Sequence, residues 1–401
     1  MSKIKWPSIS LVLLGFFIVA SAGTASAQEP NEPGWQPAQV SILKQWIEQA
    51  PSEGMSLLST RKLDNALEKA DSDAVNKEAT ALALRLGRMH LLGETPTSAR
   101  SGWHIVDTDV SIDLEARLAS ALSQRKIDQF FLGLAPSHPD YASLLAAFGS
   151  ESDEQRRKAL AGNMERWRWM PQNLGPDFIL VNAAKFEAQL WRGGEFQGSW
   201  RVIVGKTRTP TPIFSATVTG VILNPWWEIP ASIVRESVGS LVRRNPSLAR
   251  QRGYVWGGGR YRQKPGPNNA LGQMKLVMPN RFSVYMHDTP SKNLFEEEKR
   301  TFSHGCIRVG NALDFATTLL EGVKTREEVD AIVESLKTTE VDLASSLPVY
   351  VTYFTAVGSA DGSIEFLEDV YGRDRTFRKV ADAGSDTCPF DPESETLLMQ
   401  G

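Results

Sequence analysis

Cysteine and histidine are both scarce in this sequence. Only two cysteines, Cys306 and Cys388, and five histidines occur among 401 residues. Two isolated cysteines cannot form the disulfide framework of a small secreted domain, and they do not form a CxxC motif of the kind that binds zinc or carries out redox chemistry. Any function of cysteine in this protein therefore depends on single thiols.

The sequence also lacks a strong excess of charge of either sign. It contains 44 lysines and arginines against 47 aspartates and glutamates, a formal net charge of −3. This balance gives no general reason to expect nucleic acid or an anionic membrane as a partner. With 41% apolar and 23% charged residues, the composition is that of a globular protein. At roughly 150 residues per domain, the length allows two or three domains.

A short apolar run lies at the N-terminus. Lys3 and Lys5 precede an apolar run at 11–20, and small residues follow and end at Ala27. These three parts are typical of a secretory signal peptide over 1–27, with cleavage after Ala27. The alternative, a membrane anchor, is weaker because the run is about half of the ~20 residues that cross a bilayer. We therefore expect an exported protein with no membrane span after cleavage.

Changes in residue pattern divide the remaining chain. Residues 28–34 are polar and proline-rich, and we interpret them as a linker, whereas 375–401 form a polar tail. Between them, 35–162 show the apolar periodicity of helices, and 163–374 contain short β-branched and aromatic runs separated by turn residues. The sequence predicts an α+β protein, with an N-terminal helical domain followed by a mainly antiparallel β-sandwich domain.

A long insertion at 224–272 interrupts the β pattern. It is too rich in proline and glycine for a strand and too long for a hairpin loop, so it predicts a lid or small subdomain. Residues 243–264 within it hold seven arginines and lysines and no acid. One interpretation is a solvated basic surface. The other is a lid that closes over an anionic ligand, with Arg260 and Arg262 as candidate substrate-binding residues.

Two of the five histidines lie near one of the cysteines. His287 precedes the segment in which His304, Gly305 and Cys306 are consecutive. An imidazole within hydrogen-bond reach can take the proton of a thiol and so activate it as a nucleophile. Gly305 allows the backbone to point N–H groups at an oxyanion, and Arg308 is a bidentate donor for a carboxylate. This set predicts acyl transfer. On these residues alone, a buried structural cysteine with structural histidines remains an alternative.

The complete string around Cys306 is more specific. SHGCIRVGN, preceded by YMHDTPSKNLFEEEKRTF, resembles the active-site signature of the L,D-transpeptidases, whose catalytic unit is the YkuD-type domain. Upstream, NMERWRWMP, LNPWWEIPASI and RQKPGPNNALGQMKLVMPN are similar to the larger periplasmic members with a capping subdomain. The resemblance covers about 163–374, and the helical segment before it is similar to their scaffold domain. Only the short linker SESDEQRRKALAG occupies the place of the peptidoglycan-binding module that such members often carry.

The resemblance implies a role for each residue of the signature. Cys306 occupies a position that resembles that of the family's nucleophile, and the position of His287 resembles that of the base that activates it. Arg308 matches the motif arginine that binds a substrate carboxylate or holds the loop. His304 and Gly305 match positions that shape the nucleophile loop, and the N–H groups of Gly305 and Cys306 are the expected oxyanion donors.

Three positions near the signature have less definite roles. The third group that orients His287 is not obvious from the sequence, and a main-chain carbonyl near Asp288 would suffice. Ser303 and Asn311 occupy signature positions, where substrate contact competes with loop-shaping hydrogen bonds or a helix cap. No cofactor is expected, because no HExxH motif, paired Cys/His ligand set or nucleotide-binding loop occurs.

The implied reaction is the periplasmic cross-linking of peptidoglycan stem peptides. The thiolate attacks the carbonyl between the third residue and the terminal D-Ala of a tetrapeptide stem, and the thioester passes to an amine of a second stem. A carbapenem is expected to acylate the same cysteine. Two alternatives remain, a hydrolytic or editing enzyme of the same fold and a non-catalytic wall-binding scaffold. The sequence leaves the oligomeric state open.

Overall fold

The computed structural model describes residues 34–100, 102–359 and 362–374. The predicted signal peptide 1–27, most of the predicted linker 28–34, and the predicted tail 375–401 with Cys388 lie outside the described residues. Within the described ranges, no helix is long and apolar enough to cross a membrane.

The first part of the described chain is helical, as predicted. Its helices are α1 (Pro37–Gln49), α2 (Arg61–Glu68), α3 (Ser72–Leu92), α4 (Leu114–Gln124), α5 (Ile127–Leu132), α6 (Pro139–Ser150) and α7 (Glu154–Arg168). The side chains of Asp71, Asp113 and Asp153 accept backbone N–H groups and cap α3, α4 and α7. Helices α1 to α5 bury a separate apolar core that includes Leu43 and Phe131.

The last two of these helices pack against the sheet that follows. Tyr141 and Leu144 of α6, with Met164 and Trp167 of α7, belong to the apolar core of the sheet domain. Helix α7 runs continuously through residue 162, where the sequence pattern places the end of the helical domain. Because α6 and α7 contribute to the second core, they join the helical region to the sheet domain.

The second part of the described chain is rich in strands. They are β1 (Trp103–His104), β2 (Phe178–Asn182), β3 (Glu187–Arg192), β4 (Glu195–Gly205), β5 (Ile213–Leu223), β6 (Trp227–Glu228), β7 (Tyr254–Gly257), β8 (Arg260–Gln263), β9 (Met274–Val277), β10 (Met286–His287), β11 (Thr301–Ser303), β12 (Ile307–Val309), β13 (Thr339–Thr352), β14 (Ala356–Gly358) and β15 (Ile364–Phe366). Except for β1, which pairs with β5, all of them follow α7.

Eight strands form a closed sheet. Their order is β5-β13-β2-β3-β4-β12-β10-β9, and the sheet closes because β9 pairs with both β10 and β5. Six of these eight pairings are antiparallel, whereas β13–β2 and β10–β12 are parallel. The prediction of a mainly antiparallel domain after a helical region is confirmed, and the predicted sandwich is closed along its edges.

The insertion predicted at 224–272, called the capping insertion below, is a small folded unit. Strands β6, β8 and β7 form its own three-stranded sheet. Short helical segments accompany this sheet: α8 (Ala231–Ile233), a π-helical segment (Val234–Val238), α9 (Gly239–Arg244) and α10 (Pro246–Gln251). The buried amide of Asn269 donates to the carbonyl groups of Pro225 and Lys264, so the two ends of the insertion are held together. Downstream, α11 (Ala312–Leu319) and α12 (Arg326–Glu334) pack on the main sheet.

Candidate active site

Three polar side chains lie in a row across neighbouring strands of the closed sheet. Lys275 on β9 is the register partner of His287 on β10, and His287 is the partner of Arg308 on β12. Directly opposed residues on neighbouring strands place their side chains on the same face. Ile222 on β5 and Ile203 on β4 continue the row on its two sides. The row therefore has an imidazole at its centre and a cation on each side.

The turn between β11 and β12 carries Cys306. Gly305 has a φ of 113°, a conformation that residues with a Cβ rarely adopt. Ser303 Oγ accepts a hydrogen bond from the Gly305 N–H at 3.0 Å and donates one to the Cys306 carbonyl at 2.5 Å. Thr211 Oγ1 donates to the Gly305 carbonyl at 2.9 Å. These bonds fix the backbone beside the sulfur, so the structure supports a loop-shaping role for Ser303.

One of the two expected oxyanion donors is already engaged. The Gly305 N–H is bonded to the Ser303 hydroxyl, whereas the Cys306 N–H makes no hydrogen bond to another described residue. A hydrogen atom that is bonded to Ser303 is not available to an oxyanion. The expectation of two donors is therefore corrected, for this conformation, to the Cys306 N–H alone.

The ring of His287 is oriented by the main chain. His287 is 4% exposed, and its Nδ1 lies 2.5 Å from the carbonyl oxygen of Asp288. A proton on Nδ1 can donate to this carbonyl, which leaves Nε2 as the basic nitrogen. The Asp288 carboxylate accepts the Gln273 N–H at 2.9 Å and forms an ion pair with Lys292. A Cβ on Gly272 would collide with this carboxylate, so glycine is required there.

Burial keeps the resting pair of Cys306 and His287 uncharged. Burial and the nearby charge of Arg308 lower the pKa of His287 to about 3. Burial raises the pKa of Cys306 above its ordinary value of 9.0, although the cations Arg308 and Lys275 oppose this effect. Within the described residues, the thiol and the imidazole share no hydrogen bond. At neutral pH the site therefore holds a neutral thiol and a neutral imidazole, and proton transfer requires them to approach during the reaction.

Alkylation of Cys306 by iodoacetamide is expected to follow the titration of a weakly acidic thiol. Labelling should increase through about pH 7 and continue to increase beyond about pH 9, because the reactive thiolate forms only as the thiol titrates. Peptide mass spectrometry after short pulses measures labelling at Cys306 separately from labelling at Cys388. A plateau reached at roughly pH 5 would contradict this expectation, because it would reveal a thiolate–imidazolium pair.

Arg308 has no acidic partner among the described residues. Its side chain is half-buried, and its Nε is buried without a hydrogen-bond partner. Burial lowers the pKa of Arg308. The sequence suggested two roles for Arg308, to bind a substrate carboxylate or to hold the loop. Within the described chain, no hydrogen bond from Arg308 supports the second role. Binding a substrate carboxylate would supply the missing acceptor.

His304 and Asn311 lie at exposed positions of the signature. His304 Nε2 is 3.0 Å from Glu236 Oε2, and Glu236 belongs to the π-helical segment of the capping insertion. Asn311 has a φ of 46° and begins α11 without a side-chain capping bond. His304 therefore connects the nucleophile loop to the capping insertion, and Asn311 forms the turn that starts a helix.

The two arginines expected to bind substrate are paired within the capping insertion. Arg262 Nε lies 2.6 Å from Glu228 and Arg260 Nε lies 3.6 Å from it. The Arg262 Nε contact is an ion pair without hydrogen-bond geometry, and the guanidinium also lies 4.5 Å from the centre of the Trp226 ring. Glu228, on the adjacent strand, neutralises part of the charge of Arg260 and Arg262, and substrate binding by these two arginines stays a prediction.

Comparison with protein families identifies two domains. Residues 176–333, which include His287 and Cys306, match the family model of the L,D-transpeptidase catalytic domain, YkuD. This chain contains a YkuD-type L,D-transpeptidase domain. Residues 27–148 match the family model of the scaffold domain. The helical region and the L,D-transpeptidase domain thus follow each other as the resemblance implies.

Individual relatives match part of this chain. A Haemophilus influenzae protein provisionally named an L,D-transpeptidase is 30% identical in an alignment of 288 positions that covers 65% of this chain and 58% of that protein. The chain therefore spans less than two thirds of this relative. An L,D-transpeptidase structure from Mycobacterium smegmatis is 14% identical, covers 44% of this chain and 58% of its own, and has a TM-score of 0.27. L,D-transpeptidase 3 from Mycobacterium tuberculosis, in complex with a faropenem-derived adduct, is 15% identical over 44% of this chain and 60% of its own, with a TM-score of 0.24.

Lys275 is the residue of this site that sequence reasoning missed. It lies between Met274 and Leu276, which are both fully buried, so the local alternation places Lys275 on the other face of β9. A lysine inside a short apolar strand was the available signal. Its position beside His287 depends on strand register, which the sequence does not show. No group of three or more histidine, cysteine, aspartate or glutamate side chains in the described ranges is arranged to hold a metal ion.

Proposed function

We propose that this protein is a peptidoglycan L,D-transpeptidase that forms 3→3 cross-links. In the first half-reaction, His287 Nε2 takes the proton of the Cys306 thiol as the sulfur attacks the carbonyl between the third, L-centred residue and the terminal D-Ala of a tetrapeptide stem. The Cys306 N–H stabilises the oxyanion. The C–N bond breaks as His287 returns the proton to the leaving amine, and the stem remains on the sulfur as a thioester.

In the second half-reaction, an amine replaces the sulfur. The side-chain amine of diaminopimelate from a second stem attacks the thioester, and His287 takes a proton from that amine. The new amide forms as the C–S bond breaks, and the thiolate recovers the proton from His287. The reaction exchanges one amide for another, so it needs no oxidant, reductant or additional co-reactant.

The observation that carries this proposal is the contact between His287 Nδ1 and the Asp288 carbonyl, next to the nucleophile loop. With its proton on Nδ1, donated to the Asp288 carbonyl, His287 can use Nε2 as the base for Cys306. The hydrogen bonds of Ser303 and Thr211 hold the loop that presents the sulfur. An oriented base and a fixed nucleophile loop serve covalent acyl transfer. A non-catalytic wall-binding scaffold would need neither His287 nor Cys306.

We also propose that the protein works in the periplasm. The N-terminal pattern of 1–27 is typical of an exported protein, and peptidoglycan stems are available to an exported enzyme. A fusion of the complete chain to a periplasmic reporter enzyme, compared with the same fusion lacking 1–27, tests this expectation. Reporter activity that does not depend on 1–27 would contradict it.

The function is tested by the products that the purified protein forms from disaccharide tetrapeptides. We expect a cross-linked dimer that has lost one D-Ala, identified by mass spectrometry and by fragmentation across the new amide. Tripeptide monomers without dimers would identify an L,D-carboxypeptidase, and unchanged substrate would contradict catalysis. We also expect one carbapenem molecule to acylate each chain at Cys306, because the strained amide of the drug is an acyl donor.

A further inference from the structure

Lys275 is a cation beside the nucleophile to which the proposed reaction assigns no role. It is half-buried on β9 and is the register partner of His287. Its Nζ lies 4.6 Å from the centre of the Tyr285 ring. The charge of Lys275 and the backbone of Tyr285 both lie close enough to the sulfur to lower the pKa of Cys306. Lys275 is therefore positioned to act on whatever binds at the sulfur.

The charges around the row leave two cations without an acidic partner among the described residues. Neither Lys275 nor Arg308 forms an ion pair with another described residue. The neighbouring acid, Asp288, is already paired with Lys292. Burial lowers the pKa of Lys275, and the charges of Glu340 and Glu228 oppose this effect without forming an ion pair with the ammonium. Leaving a half-buried charge unpaired is costly, so cations on both sides of His287 indicate a site that a substrate anion completes.

Within the proposed function, on which this inference rests, we propose that Lys275 binds the terminal carboxylate of the acyl donor. That carboxylate belongs to the residue that leaves, and it is attached to the same carbon atom as the scissile nitrogen. A donor whose carbonyl reaches the Cys306 sulfur therefore brings this carboxylate close to the row. The other carboxylates of the stem lie farther along the peptide. Lys275 is thus a specificity residue for donors with a free C-terminus.

The surroundings of Lys275 are suited to this role. The Tyr285 ring holds the ammonium by a cation–π contact without using up its N–H donors. An ammonium–carboxylate hydrogen bond is charge-assisted and stronger than a neutral one. A donor that ends in a carboxamide cannot form this ion pair, so the wild-type enzyme should prefer the donor with a free carboxylate.

The test compares two soluble tetrapeptide donors that differ only in the C-terminal group, a carboxylate or a carboxamide. The rate of Cys306 acylation is followed by intact mass spectrometry at several donor concentrations. For Lys275→Met we expect a loss of roughly 10- to 100-fold with the carboxylate donor, mainly as a higher half-saturating concentration, and little change with the carboxamide donor. Lys275→Arg should retain most of the wild-type preference. Lys264→Met makes the same charge change at an exposed lysine of the capping insertion. This variant should retain the complete wild-type preference for the carboxylate donor.

The outcomes separate this inference from the proposed function. Equal losses with both donors in Lys275→Met would overturn the inference, because Lys275 would then serve only the thiolate. Equal rates of the two donors with the wild-type enzyme would overturn it as well. Acylation of the wild-type enzyme by neither donor would contradict the proposed function itself. Iodoacetamide labelling at Cys306 reports an intact site in each variant, and Lys275→Gln replaces Lys275→Met if the latter does not fold.

Discussion

Cys306→Ala is expected to abolish turnover of peptidoglycan stems and to leave the fold intact. The sulfur forms the covalent bond to the acyl group, and alanine offers no atom that can replace it. The circular dichroism spectrum should not change, because the substitution removes one half-buried sulfur from a loop that other side chains hold. Conversion of disaccharide tetrapeptides, measured by liquid chromatography and mass spectrometry, should fall below about 1% of the wild-type rate.

A matched control for this variant is Cys388→Ala. It removes the second thiol of the chain, which lies outside the described residues. We expect unchanged activity under non-reducing conditions, because a single thiol is sufficient for the reaction. Residual conversion by Cys306→Ala well above the stated limit would contradict the assignment of the nucleophile. Loss of activity in Cys388→Ala would show that the second thiol is also needed.

His287→Gln is expected to slow acylation by roughly 10²- to 10⁴-fold near neutral pH, the range that general-base catalysis contributes. Glutamine retains an N–H group that can donate to the Asp288 carbonyl, but it cannot accept the thiol proton. Because the pKa of Cys306 is raised, the neutral thiol predominates at neutral pH and depends on the base. The deficit should become smaller beyond about pH 9, where the thiolate forms without a base. Thioester formation with a soluble donor, measured from neutral pH to beyond about pH 9, gives both the size of the deficit and its change with pH.

His104→Gln is the control for the histidine substitution. It makes the same chemical change at an exposed residue of β1, whose Nδ1 lies 3.0 Å from Arg281. We expect a change of less than about 3-fold, since substitutions of exposed side chains away from the reacting groups have small effects. A loss in His104→Gln as large as that in His287→Gln would show that the effect of His287→Gln is not specific to a base beside Cys306. A His287→Gln deficit that remains constant as the pH rises would contradict the assignment of His287 as the base.

The main features of the fold were predictable because they depend on local patterns. The helical region and the strand-rich region follow from apolar periodicity, and the structure confirms both. The run FSVYMH at 282–287 has the residue pattern that predicts a strand, but only Met286 and His287 form one. Ser283 has a φ of 53° and the Asn280 side chain accepts the Val284 N–H. A turn therefore replaces the predicted strand, and this depends on side-chain hydrogen bonds that an alternating pattern does not reveal.

The candidate site was predictable only where its residues are close in sequence. The short spacing from His287 to Cys306 indicated a nucleophile and a base, and the structure places both near one end of the same sheet. Lys275 was missed because its position beside His287 depends on the register of β9. The pairing of Arg262 with Glu228 on another strand of the capping insertion was also not predictable, because a local count of charges does not show it.

The central claim, a thioester on Cys306, is tested most directly by the intact mass of the wild-type protein after it is mixed with a soluble tetrapeptide donor and quenched in acid. We predict a single adduct whose mass equals that of the donor minus alanine. Peptide mapping should place this adduct on Cys306, and hydroxylamine should release it, as expected for a thioester. Formation of product without any adduct, or an adduct on another residue, would contradict the account.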